Sequence, residues 1–308
     1  MFRVRTATVD EHPAGVSLLL GHLPAAEREA QVAEILERAR VGEVNLQGLL
    51  LSERDGEIVG AALMMASADA PVFVWPPAVR NDVPYDEPAD ALLQEVRRRI
   101  DAGDAWLGQC LLEVESTRER SALSRNGFAH LTDLLFLQRP LDEPLPPISD
   151  APFETVAYAP GTNDEQFGRL LEATYVATRD CPELNGRRRG VEALAEHRAS
   201  GRFDPSRWKI YRAGGEDVGV LLLSEHADQD AWEVVYMGVV SQARGRGYGR
   251  GMLLTGLYEA RASGTGSVAL AVDNRNSFAI GVYERLGFLE AAVRAVHVRF
   301  NDSRSRGQ

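Results

Sequence analysis

Cysteine is nearly absent from the sequence. Cys110 and Cys181 are the only two, too few for a disulfide framework or a cysteine-rich zinc site, so a reducing compartment is the default and Cys181 is expected to be a buried or half-buried apolar filler. The six histidines show no metal-ligand spacing, and no metal is expected. No apolar run approaches the roughly 18 residues of a membrane-spanning helix, and the N-terminus meets Asp10 and Glu11 before any apolar stretch. Signal peptide, membrane span and membrane partner are therefore not expected, and the expected location is cytoplasmic. No Lys/Arg run or basic stripe stands out in a chain of net charge −11, which argues against a nucleic-acid partner. An acidic surface suits a cationic amine, although solubility alone produces the same bias.

What is present is concentrated in the second half of the 308 residues, a length that suggests two domains. An apolar strand, Trp232 to Val240, runs into a loop carrying Gly245, Gly247, Gly249 and Gly251, and a helical pattern opens at once with Met252, Leu253, Leu254, Leu257 and Tyr258. Glycines remove Cβ atoms, so main-chain N–H groups can converge on an anion, and a helix start adds partial positive charge. Arg244, Arg246 and Arg250 add cationic donors. A Walker A loop needs Gly-Lys-Ser/Thr, and no lysine stands here. A dinucleotide G-x-G-x-x-G fails from Gly245, whose sixth position is Arg250, and from Gly247, whose sixth is Met252. The spacing that fits is Arg-x-x-Gly-x-Gly, Arg244 to Gly249; the plainer alternative is a glycine-rich turn without a ligand.

A second segment follows: an apolar strand, Val268 to Val272, then Asn276, a helix with Ala279, Val282, Tyr283 and Leu286 on one face, Gly287 as its terminator, and Phe288 restarting a strand. Alone, Asn276 reads equally well as a helix cap and Tyr283 as a core aromatic. Together and in this order the two segments resemble the GNAT acyltransferases (Gcn5-related N-acetyltransferases), over residues 153 to 300.

Residues 142 to 152 form a Pro-rich break without periodicity, and the halves on either side echo each other. Glu57-Ile-Val-Gly60 matches Glu216-Asp-Val-Gly219, and Asn126-Gly-Phe128 matches Leu286-Gly-Phe288, at offsets of 159 and 160 residues. This implies an internal duplication. The expected fold is α/β (α+β) with two tandem GNAT domains, each a mixed central sheet flanked by helices. The expected divisions are a degenerate domain at 1–142, a linker at 143–152 and a catalytic domain at 153–308. Tandem units occur in this family, the mycothiol synthases among them. The first copy lacks the loop: residues 76–89 contain no glycine, four prolines and three acids.

The resemblance implies acyl transfer to an amine with acetyl-CoA as cosubstrate. The cofactor-binding residues are then the main chain of Met237, Gly238 and Val239, the loop Arg244, Gly245, Arg246, Gly247, Tyr248, Gly249 and Arg250, and Asn276. Tyr283 is the expected general acid for the leaving thiolate. Glu233 is the candidate base, read as alternating with Val235 and Met237 on one strand face, with a water-facing carboxylate as the plainer alternative. Asp180, Glu183 and Asn185, in the loop between the first two helices of the second half, are candidates for receiving the amine or, equally, loop caps. The expected acceptor is a small-molecule amine reached by direct transfer, in a monomer or homodimer; a non-catalytic CoA-binding or regulatory module, a mycothiol-synthase-like enzyme and a protein acetyltransferase are the alternatives.

Overall fold

The structure, a computed structural model, describes residues 2–66, 71–103, 105–148, 153–187 and 189–301. In the first half the elements are β1 (Arg3–Thr6), α1 (His12–Leu19), α2 (Ala25–Arg40), β2 (Leu49–Arg54), β3 (Glu57–Met65), β4 (Val72–Val79), α3 (Asp86–Ala102), β5 (Leu107–Glu113), α4 (Thr117–Arg125) and β6 (Ala129–Pro140). In the second they are β7 (Glu154–Ala157), α5 (Asp164–Tyr175), α6 (Gly190–Arg198), β8 (Trp208–Ala213), β9 (Glu216–His226), β10 (Ala231–Val239), α7 (Tyr248–Ser263), β11 (Ser267–Asp273), α8 (Ser277–Arg285) and β12 (Leu289–Phe300). Among the described residues no helix is long and apolar enough to cross a membrane.

By internal contacts the chain forms two compact units, one of residues up to Leu131 together with those from Ala295 onward, the other Thr132–Arg294. β6 and β12 each run across this division. The stretch 132–140, placed in the first domain on sequence grounds, thus lies in the second unit, and the end of β12 lies in the first. Apolar strands carry no mark of which neighbour they pair with, so the cut after residue 142 could not be placed better from pattern alone. Part of the expected linker is packed: Leu145 is buried in the second unit's core and Tyr258 Oη donates to the Pro146 carbonyl at 3.2 Å. Residues 149–152 of that linker lie outside the described residues.

In the first unit the strands run β1-β2-β3-β4-β5. Helices cover both faces, so the central strands β2 and β3 carry continuous buried runs rather than alternating with polar residues. Leu49 and Leu51 of β2 pack with Val16 and Leu19 of α1, while Leu50 packs with Leu92, Leu93 and Val96 of α3. In the second unit the order is β6-β11-β10-β9-β8-β7. There Leu221 and Leu223 of β9 face α7, since a Cβ on Gly256 of that helix would stand 2.9 and 3.2 Å from them. Cross-strand partners share a face, so this register fixes the orientation of β10 described next.

Candidate active site

β10 lies parallel to β11 but pairs with it only at Ala231↔Ser267, Trp232↔Val268 and Glu233↔Ala269. Its pairing with β9 on the other side continues to Val239↔Gly219. Beyond Glu233 the edge of β10 that faced β11 is therefore open, and the two strands form a fork.

The register of β9 and β10 slips between Val234 and Tyr236, leaving Val235 as an extra residue. A bulge of this kind reverses the inside–outside alternation beyond it. Met237 pairs with Leu221, so it faces α7, whereas Glu233, Tyr236 and Gly238 pair with Ser224, Leu222 and Val220 and face the opposite way. The expectation that Glu233 and Met237 point the same way is thus corrected. Gly238 is needed because α5 comes close: a Cβ there would stand 2.6 Å from Thr174 Cβ and 2.8 Å from Tyr236 Oη. Those two hydroxyls bond each other at 2.7 Å.

At the end of β10 the glycine loop does what its spacing requires. Gly245 and Gly247 have φ of +77° and +82°, and added Cβ atoms would meet nothing within 4 Å. Gly247 is the N-cap of α7 and has no side-chain cap. Among the described residues, no acceptor is bonded by the main-chain N–H groups of Gly245 through Arg250. Arg246 and Arg250 have no ion-pair partner there either. These are orphaned donors of an uncapped helix start, open to one side, which is the arrangement that accepts a phosphate. Tyr248 anchors the first turn by packing edge-on against Phe153 at 5.6 Å. Arg244 behaves differently. It donates to the carbonyls of Val239 at 3.0 Å, Ala177 at 2.8 Å and Thr174 at 2.7 Å. Its guanidinium fastens the end of α5 to the end of β10, and it also occupies the Val239 carbonyl.

Asn276 caps α8, accepting from the Ala279 N–H at 3.3 Å. Tyr283 is 7% exposed and packs against Phe288 at 5.7 Å. Burial, helped by the nearby Asp180 charge, raises its pKa above the usual phenol value, so it stays protonated. No described residue hydrogen-bonds its hydroxyl.

The three acceptor-loop candidates have unequal roles. Glu183 is engaged by both terminal nitrogens of Arg275, at 2.7 and 3.0 Å, which lowers its pKa. Asn185 Nδ2 donates to the Tyr175 carbonyl at 3.1 Å. Of the three, Asp180 is the one whose charge reaches Tyr283. It is exposed as a residue, but its carboxylate accepts from the Asp273 N–H at 2.9 Å, and desolvation there raises its pKa.

The organising group is Asp273, fully buried at the end of β11 and not singled out from sequence. Burial alone would raise its pKa. Hydrogen bonds from Arg275, from Thr132 Oγ1 at 2.7 Å and from the Cys181 N–H at 3.0 Å outweigh that and hold it at about 2. Cys181 itself sits at φ +42°, a conformation unfavourable for a side chain with Cβ, held in part by that bond. Arg179 lies 4.5 Å over the ring of exposed Phe278. Loop 179–183 is thus latched to the start of α8 at four points.

Residues 171–288 match the family model described as the Acetyltransferase (GNAT) family. The mycothiol acetyltransferase of Rhodococcus erythropolis is 30% identical, covering 91% of this chain and 94% of its own. Among solved structures, a GCN5-related N-acetyltransferase from Sphaerobacter thermophilus aligns with a TM-score of 0.62 at 20% identity, over 97% of this chain and 96% of that one. A tandem GNAT protein from the clavulanic acid biosynthesis pathway aligns at 0.53 and 14% identity, over 98% and 99%. At those identities the likeness of the two structures is one of fold. With the sequence relative spanning nearly the full length, the chain belongs to the GNAT family of N-acetyltransferases.

Proposed function

We propose that this protein transfers an acetyl group from acetyl-CoA to the amine of a small molecule, at one site in the second unit. The observation that carries the reading is the row of unpartnered N–H groups from Gly245 to Arg250, at the end of a strand edge left open by the fork. A pyrophosphate suits that cradle, with Arg246 and Arg250 as its cationic partners. The open edge at Met237, Gly238 and Val239, apart from the Val239 carbonyl held by Arg244, then offers main-chain groups to the pantetheine arm. The thioester supplies an activated acetyl group. Glu233, at the last paired position before the fork, takes the proton that the attacking amine gives up. Tyr283, kept neutral by burial, gives a proton to the sulfur as the C–S bond breaks. Asp180 is the acid placed to meet the amine, while Glu183 and Asn185 hold the loop's shape.

The relative from Rhodococcus erythropolis is a mycothiol acetyltransferase, so the deacetylated form of mycothiol is the first acceptor to try. Free-CoA release from acetyl-CoA, measured against a panel of small amines including that one, should be amine-dependent and saturable. Tight acetyl-CoA binding without turnover would instead support a CoA-binding module, and turnover on peptides alone would support a protein acceptor.

A further inference from the structure

Three segments of the second unit converge on one carboxylate oxygen. β9 ends at His226, β10 contributes Glu233, and the chain leaving α6 contributes Ser200. The last is held against β9 by paired main-chain bonds between Arg202 and Glu225, at 2.7 and 3.2 Å. Gly201, at φ +65°, permits the approach: a Cβ there would stand 2.8 Å from His226 Nε2 and 2.9 Å from both Ser224 Oγ and the Glu225 carbonyl. As a result Glu233 Oε2 meets His226 Nε2 at 2.7 Å and Ser200 Oγ at 3.0 Å. No described residue hydrogen-bonds Oε1. The neighbouring Glu225 is occupied by Arg207 at 2.8 Å and does not compete for the histidine.

We propose that His226, assisted by Ser200, is the positioning residue of the catalytic base: it fixes the Glu233 carboxylate by Oε2 so that Oε1 faces the acceptor amine. A glutamate with a third of its side chain exposed would otherwise sample several rotamers, and only some place an oxygen at the fork. With Nε2 as the donor, the imidazole can be neutral, so the bond orients Glu233 without neutralising its charge. The proposal rests on Glu233 being the base, and its test separates the two.

The experiment compares His226→Ala, His226→Gln, Glu233→Gln and the double variant His226→Ala/Glu233→Gln in steady-state kinetics, with thermal unfolding as the folding control. Glu233→Gln should lower kcat about a hundredfold or more. His226→Ala should lower kcat about tenfold to a hundredfold, leaving KM for acetyl-CoA unchanged. His226→Gln, whose amide can still donate to Oε2, should recover most of the loss. The double variant should be no slower than Glu233→Gln, because a positioning residue has nothing left to position. If His226→Ala does not fold, Ser200→Ala serves in its place with the same non-additivity. A fully active His226→Ala, or Ala and Gln variants equally impaired, beside an impaired Glu233→Gln, overturns the positioning role alone. A Glu233→Gln enzyme with wild-type kcat overturns the base assignment and the proposal with it.

Discussion

In the first unit α4 ends at Gly127 (φ +85°), and the Phe128 N–H returns to the Leu123 carbonyl at 3.0 Å. In the second, α8 ends at Gly287 (φ +83°), and the Phe288 N–H returns to the Tyr283 carbonyl at 3.1 Å. Both units also contain a parallel pair that parts early, β4 and β5 being joined only at Val72↔Gly108 and Phe73↔Gln109. The helices that follow the fork strands start differently. α7 opens on glycine with its donors free; α3 opens on Asp86, Glu87 and Pro88, so its first turn carries its own negative charge and lacks one N–H. Arg80, just before it, is tied to Asp82 at 2.5 Å and Glu57 at 3.0 Å. At the matching positions Leu123 stands for Tyr283, Ser116 for Asn276, and Glu113 and Glu115 for Asp273 and Arg275. Packing tolerates any apolar residue of suitable size at a buried site. An anion cradle and a proton donor do not, and a few substitutions separate the two.

The comparison breaks most sharply at Gly247. Gly247→Asp places a carboxylate as an N-cap of α7, in open space and in a left-handed conformation that Asp tolerates comparatively well. It occupies the anion site itself, so acetyl-CoA affinity should fall about a thousandfold or more with little change in melting temperature. Retained affinity in calorimetric titration would put the cradle elsewhere.

Tyr283→Phe keeps the ring packing and should lower kcat about a hundredfold to ten-thousandfold, with KM for acetyl-CoA nearly unchanged. Because burial raises the pKa of Tyr283, its neutral, proton-donating form persists to higher pH than an exposed phenol's. The wild-type pH–rate profile should therefore show no alkaline fall near pH ~10 from this group. Leu123→Ala, its counterpart, should cost about 2–5 kcal/mol of stability and leave kcat of the folded enzyme alone. A fully active Phe variant returns Tyr283 to the role of a core aromatic.

A smaller effect is expected at Arg275. Arg275→Ala frees Glu183 and one side of Asp273, loosening loop 179–183. KM for the amine should rise roughly tenfold, KM for acetyl-CoA should stay fixed, and amide exchange in the loop should quicken. Unchanged exchange would show that the latch does not order the loop.

The backbone geometry of the glycine loop and of the Asn276–Phe288 segment was legible because it is local. The Arg244–Gly251 spacing and the Asn276–Phe288 segment each lie within about a dozen residues, and the caps and positive-φ glycines follow from them. Glu233 was singled out as a candidate base, but its facing was misread because one extra residue, Val235, reverses strand parity without any mark in the composition. Arg244 looked like a phosphate ligand; that it reaches back to Thr174 and Ala177 depends on where α5 ends. Asp273 and its partners were missed because Thr132, Cys181 and Asp273 meet only through tertiary pairing, Thr132 from a strand assigned to the other half. A lone Asp at a strand end gives little warning of such a role.

The central claim is that only the second unit holds acetyl-CoA. Isothermal titration of the intact chain should give one site per chain, and that site should vanish in Gly247→Asp. Two sites per chain, or one that survives Gly247→Asp, would contradict it.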